Sequence, residues 1–107
     1  MQSSGLVRSH DAFRALADQT RRDILQMLRT GPQTSGEIAA RFESSWPTIS
    51  RHLGVLRNAG LVVAVRKGQE IYYELDASVF QELIQHLMEW LKPPALRRGF
   101  QHKQQEV

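Results

Sequence analysis

A chain of 107 residues with 41% hydrophobic content suits one domain around one core and leaves no room for a second. Its longest purely apolar run, Leu61 to Val65, is far short of a bilayer span, and its zero cysteines exclude disulfides, thiolate metal sites and thiol nucleophiles. The net charge of +3 hides a division, since residues 1–40 carry +1, 41–67 carry +4, 68–91 carry −5 and 92–107 carry +3. A concentrated basic block points to a polyanionic partner more firmly than the total does.

The opening, with "SSGLVRSH", resembles a shortened expression-vector linker or a disordered native lead, so residues 1–9 carry no weight. No secretory apolar region follows, and the expected location is cytoplasmic, with no membrane partner. In "HDAFRALA", Phe13 and Leu16 stand three apart and predict a short first helix that ends where Asp18 caps the next. "DQTRRDILQMLRTG" puts Ile24, Leu25 and Leu28 on one stripe, with Gly31 and Pro32 as the stop. Thr34 and Glu37 stand in capping-box register ahead of a third helix of about two turns, which carries Ile38, Ala39 and Phe42 inward.

Ser45 is placed to cap a fourth helix, and Pro47 suits its first turn, where a missing N–H costs nothing. Ile49, Leu53 and Leu56 then recur at spacings of four and three until Gly60, which can take the left-handed conformation that ends a helix. Beyond Gly60 the period changes to two. Leu61, Val63 and Val65 alternate against Ile71, Tyr73 and Leu75 around a Lys-Gly-Gln turn, predicting a hairpin with a basic tip. Asp76 or Ser78 caps a last helix with a broad apolar face of Val79, Phe80, Leu83, Ile84, Leu87, Trp90 and Leu91, ended by Pro93 and Pro94. Residues 93–107 read as a flexible basic tail, leaving 10–92 as the folded domain.

The fold class is therefore mostly α with a small β-hairpin, in the order α1-α2-α3-α4-β-hairpin-α5, a helix-turn-helix with a wing. Ile49, Leu53 and Leu56 hold the fourth helix to the core and leave Pro47, Thr48, Ser50, Arg51 and Gly54 facing out. A helix about 10–12 Å across fits the major groove, whose floor offers acceptors to Arg and mixed partners to Ser and Thr. Thr48, Ser50 and Arg51 are assigned to base edges. Ser44, Ser45, His52 and Arg57 are assigned to phosphates, and Arg66, Lys67 and Gln69 to flanking backbone or the minor groove. His52 has a second reading, as a half-buried group satisfied by a backbone carbonyl. Trp46, for its part, either packs on the preceding turn or touches a thymine methyl or sugar.

The stretches "FRALADQTRRDILQML" and "TSGEIAARFESSWPTISRHLGVLRNAGLVVAVRKGQEIYYEL", with the closing helix, resemble the arsenic-resistance-repressor (ArsR/SmtB-like) winged-helix regulators over residues 11 to 91. The resemblance implies homodimers that repress transcription by binding double-stranded DNA at an inverted repeat, often at their own promoter, and that release it on a signal. It places Thr48, Ser50, Arg51 and His52 in the DNA-reading helix and Arg66 to Gln69 in the wing. The hairpin is most similar to that of members without a known metal site.

Departures from the family pattern matter too. The third helix has no Cys-x-Cys pair, and a last-helix pattern counted from Asp76 meets Ser78, Leu87 and Trp90 instead of ligands. No metal site and no cofactor is expected. His86 and Glu89, with His102 of the tail, are the residues of a non-cysteine alternative, although two ligands without a third seldom hold an ion.

The apolar face of the last helix is wider than a small domain needs. Phe13, Leu16, Phe80, Leu83, Leu87, Trp90 and Leu91 are therefore assigned to a dimer interface, the alternative being that the whole face is core. No phosphate loop, His-Glu-x-x-His motif or nucleophile with an adjacent base is present, so no catalysis is expected. The competing function is a winged helix that docks an acidic protein. The effector stays unknown.

Overall fold

The computed structural model describes residues 10–93, so the expectations for residues 1–9 and for the tail beyond Pro93 lie outside the described residues. Helix α1 covers 10–16 of these, and its fully buried side chains are Ala12 and Ala15, with Phe13 and Leu16 half-buried beside them. The small residues let α1 lie close against its neighbours. α2 runs from Gln19 to Leu28, capped by Asp18, whose carboxylate accepts from the Arg21 N–H at 3.1 Å. Ile24, Leu25 and Leu28 are buried as their spacing requires, and Gly31, at φ 139°, turns the chain in a region closed to most side chains.

A two-residue strand, β1 (Gln33–Thr34), is not expected from the sequence. It leads straight into α3 (Ser35–Ala39), where the capping box is complete. Thr34 N–H donates to Glu37 Oε1 at 2.9 Å, and Glu37 N–H donates to Thr34 Oγ1 at 3.1 Å. α3 is shorter than the two turns predicted, with Ile38 its one buried residue. α4 (Trp46–Asn58) starts at the Ser45 cap with Pro47 in its first turn, buries Ile49, Leu53 and Leu56, and is followed by Gly60 at φ 80°.

β2 (Val62–Lys67) and β3 (Glu70–Leu75) form the hairpin, and β1 pairs with the other edge of β3, giving an antiparallel sheet in the order β1-β3-β2. The register corrects the sequence reading. A three-residue Lys-Gly-Gln turn would put Leu61, Val63 and Val65 on one face with Ile71, Tyr73 and Leu75. The observed turn has two residues, Gly68 and Gln69, so Val62 opposes Leu75, Ala64 opposes Tyr73 and Val63 opposes Glu74. One residue less in the turn slides the pairing by one and exchanges the faces of β2. Val62 is therefore buried and Val63 is exposed.

Asp76 caps α5 (Ala77–Leu91) through the Ser78 N–H at 3.1 Å, while its own N–H donates to Leu61 O at 2.9 Å and ties the helix start to the entry of the wing. The core lies where α2, α3 and α4 meet under the sheet, with Ile24, Ile38, Ile49, Leu56 and Leu61 fully buried. Each such side chain contributes about 1.5–3 kcal/mol by leaving water. Val79 and Leu83 fasten the first half of α5 to this core, whereas Ile84, Leu87, Met88, Trp90 and Leu91 remain exposed.

Candidate nucleic-acid interface

Burial of Ile49, Leu53 and Leu56 fixes the rotation of α4 and turns Pro47, Ser50, Arg51 and Arg57 outward, all of them exposed. Ser44 and Ser45 are exposed in the turn before it, and Thr48 is half-buried. The Ser45 and Thr48 hydroxyls lie 3.1 Å apart, and Ser45 Oγ also accepts from the Thr48 N–H at 3.4 Å. These two residues therefore hold the helix N-terminus in shape, a task beyond the DNA contacts that the sequence assigns to them. Gly54 has open space where a Cβ would stand, so a partner can approach the backbone of α4 closely there.

Trp46 is 55% exposed at the first position of α4, with its ring edge over Gly36 of α3. A Cβ on Gly36 would stand 3.5 Å from that ring, so the two elements meet through the indole. Packing on the preceding helix is thus the observed arrangement, and about half of the side chain still faces out.

His52 points inward. Its side chain is 18% exposed, and Nδ1 lies 3.2 Å from Arg21 Nη1 and 3.9 Å from Asp18 Oδ2. A guanidinium has only protons to give, so in the neutral ring Nδ1 accepts from Arg21, whereas in the charged ring Nδ1–H faces the Asp18 carboxylate. Of the two readings of His52, the geometry matches the satisfied half-buried group, with Arg21 in place of a backbone carbonyl.

Arg21 also donates from Nε to Ala15 O at 2.8 Å, so one side chain closes the end of α1 and braces α4. Arg22 closes α1 too, donating from Nη1 to Leu16 O at 2.7 Å. Sequence reasoning missed both roles, although the paired arginines one turn after a helix end were the available signal. The Asp18 carboxyl is held below its usual pKa, chiefly by the backbone hydrogen bond from Arg21, against burial, with help from the charges of His52 and Arg21.

At the wing, Arg66 Nη1 donates to Gly68 O at 3.4 Å across the turn, and Lys67 Nζ lies 5.6 Å from the centre of the Tyr72 ring. Gln69 stands exposed at the tip, and Gly68 adopts φ 62° to close it. The segment 41–67, containing α4 and β2, holds five cations against Glu43 alone. Among the described residues, neither an Arg51 nor an Arg57 ion pair competes with an outside anion.

The proposed dimer residues divide. Leu83 is buried in this chain and Phe80 packs against its core, whereas Leu87, Trp90 and Leu91 are 44%, 65% and 80% exposed. The Phe13 and Trp90 rings stack with centroids 5.7 Å apart, joining α1 to the far end of α5. Leu16 packs on the core from α1. His86 is half-buried and Glu89 meets Lys92 at 3.4 Å, and His102 lies outside the described residues. Among the described residues no three histidine or acidic side chains gather to hold a metal, and no helix is long and apolar enough to cross a membrane.

Residues 18–63, from the α2 cap to the start of the wing, match the model of the bacterial regulatory protein, arsR family. The chain is 42% identical to the transcriptional repressor SdpR of Bacillus subtilis, over 77% of this chain and 91% of that protein. It is also 42% identical to the arsenic resistance transcriptional regulator ArsR1 of Pseudomonas putida, over 79% of this chain and 73% of that one. Among solved structures, an ArsR-like transcriptional regulator from Rhodococcus superposes with a TM-score of 0.73 at 31% identity, covering 78% of this chain and 79% of the other. A homodimeric winged helix-turn-helix DNA-binding domain from Mycobacterium bovis does so with a TM-score of 0.67 at 26% identity, covering 94% and 92%.

Proposed function

Because the chain belongs to the ArsR family of winged helix-turn-helix transcriptional regulators, we propose that it is a repressor that binds, as a homodimer, an inverted-repeat operator in double-stranded DNA. One observation carries this reading. The exposed face of α4 is small, polar and cationic, and it is held rigidly by three buried side chains behind it. A two-fold dimer sets two such helices about 34 Å apart, one turn of DNA, and each enters a major groove.

Arg51 reads a base edge from the middle of the exposed face, with Ser50 beside it and Thr48 at its start. Ser44, Ser45 and Arg57 meet phosphates, which fix position without reading sequence. Arg66, Lys67 and Gln69 carry the wing to the neighbouring backbone. His52 acts through Arg21, holding α4 against α1 and α2. Support for the dimer comes from the exposed apolar half of α5 and from the homodimeric relative.

Selection from a random duplex pool at about 150 mM salt, where non-specific binding is suppressed, tests the reading. An enriched inverted repeat is expected. A pool that stays random overturns it in favour of a protein-docking winged helix.

A further inference from the structure

A concave surface lies on α2, lined by none of the residues assigned to DNA. It is an open cleft of about 450 Å³ bounded by the end of α1, one side of α2 and the junction of β3 with α5. That size falls in the range of about 300–1,000 Å³ typical of small-molecule sites. Leu25, with Leu16 and Phe80, which the sequence assigns to the dimer interface but which pack on the core of the single chain, makes its wall apolar, and the polar groups along it come from α2 as Arg22, Gln26 and Arg29.

The two arginines decide what such a cleft takes. Arg22 is held in place by neutral acceptors, Leu16 O at 2.7 Å and Gln19 Oε1 at 3.0 Å, which orient the guanidinium without cancelling its charge. Arg29 is exposed at the end of α2. Asp23, the acidic residue of α2, is engaged by Gln19 Nε2 at 2.9 Å. Among the described residues neither arginine has a carboxylate partner. An apolar wall edged by two uncompensated cations is complementary to an apolar body with one anionic end.

We propose that this cleft binds a small amphipathic carboxylate, its chain against Leu16, Leu25 and Phe80 and its head against Arg29, with Arg22 adding positive potential from the other end of α2. The cleft touches both the α1–α2 body and the base of α5, so its occupant bears on the angle at which α5 leaves the domain. That angle sets the separation of two reading helices, and occupancy therefore weakens operator binding. The effect on DNA rests on the proposed dimeric repressor, whereas the binding itself does not.

Calorimetric titration of the full chain with decanoate, decan-1-ol and decyltrimethylammonium, without DNA, tests the site. Decanoate is expected to bind saturably with one molecule per chain, decanol about tenfold more weakly, as loss of one charge-assisted hydrogen bond implies, and the ammonium not at all. Arg29→Gln, at an exposed position, is expected to bring decanoate down to the decanol level and to leave decanol unchanged. Ala77→Trp, which fills the mouth of the cleft, should abolish both. Equal binding of decanoate and decanol, or an Arg29→Gln variant that binds decanoate as the parent does, overturns the proposal. So does decanoate affinity that vanishes as the protein dimerises with rising concentration, because the cleft is then covered by a second copy. A chain that binds decanoate but no DNA refutes the repressor reading and leaves the site standing.

Discussion

Replacing Trp90 with alanine is expected to separate folding from assembly. Trp90 keeps 65% of its surface exposed in the single chain. For a side chain of about 250 Å² this leaves roughly 160 Å² for a partner to cover, or about 4 kcal/mol at about 25 cal/mol per Å². A two-fold dimer contains the residue twice, so covering half of each copy gives about 4 kcal/mol in all, about a thousandfold in the association constant. Within the chain the change removes one stacked pairing with Phe13, about 0.5–1.5 kcal/mol, which leaves the core of Ile24, Ile49 and Leu56 untouched. Sedimentation velocity over a concentration series, with circular dichroism as a check on folding, reads both effects. The variant should keep its helical signal and run as a monomer at concentrations where the parent is a dimer. Equal dimerisation by variant and parent would refute the assignment of this end of α5 to the interface, as would a parent that is monomeric throughout.

The other outcomes concern the DNA face and the helix caps. Arg51→Ala should cost about 1–3 kcal/mol at one base position in each half-site, and equal loss on all sequences would move Arg51 to a phosphate. Lys67→Ala should reduce the slope of log affinity against log salt by about 0.9 for each phosphate that the wing no longer neutralises; an unchanged slope would remove the wing lysine from the backbone. Asp18→Ala should lower stability by about 1 kcal/mol at neutral pH, measured by urea unfolding. The folded-state pKa of Asp18 lies below its ordinary 3.8, so its charged form stabilises the native state above that value, and the contribution fades as pH falls through the folded-state pKa. The gap between parent and variant should therefore narrow in acid, and a constant gap would mean that the charge contributes nothing. Gly68→Ala should cost about 1–2 kcal/mol in thermal unfolding, because φ 62° brings a Cβ too close to the next carbonyl.

Helices are legible in the sequence wherever a local rule governs them. Asp18, Thr34, Ser45 and Asp76 cap the helices that they precede, since a side-chain oxygen one turn from free N–H groups acts within a few residues. The turn of the hairpin is harder, because Lys-Gly-Gln can close two residues or three, and only the pairing of the whole strands decides between them. β1 is two polar residues long and has no alternation to detect; its partner, β3, lies almost forty residues away. The inward turn of His52 is one of two readings that its sequence allows, but its partner Arg21 stands 31 residues earlier, and no spacing rule connects them. The exposed face of α4 can be read because a helix with three buried positions has a determined outside. The cleft on α2 cannot, since it is assembled from the ends of three elements.

The brief strand before α3 gives Thr34 two attachments. The residue lies opposite Tyr72 in the sheet and caps α3 with its side chain. The strand that returns from the wing tip is thus spliced to the first residue of the helix-turn-helix, with no flexible joint between them. One residue, Thr34, belongs both to the sheet that carries the wing and to the start of α3, so the two are built on a shared hinge-free junction. For the proposed dimer this leaves adjustment to a curved or unevenly spaced duplex to the swing of one whole domain against the other.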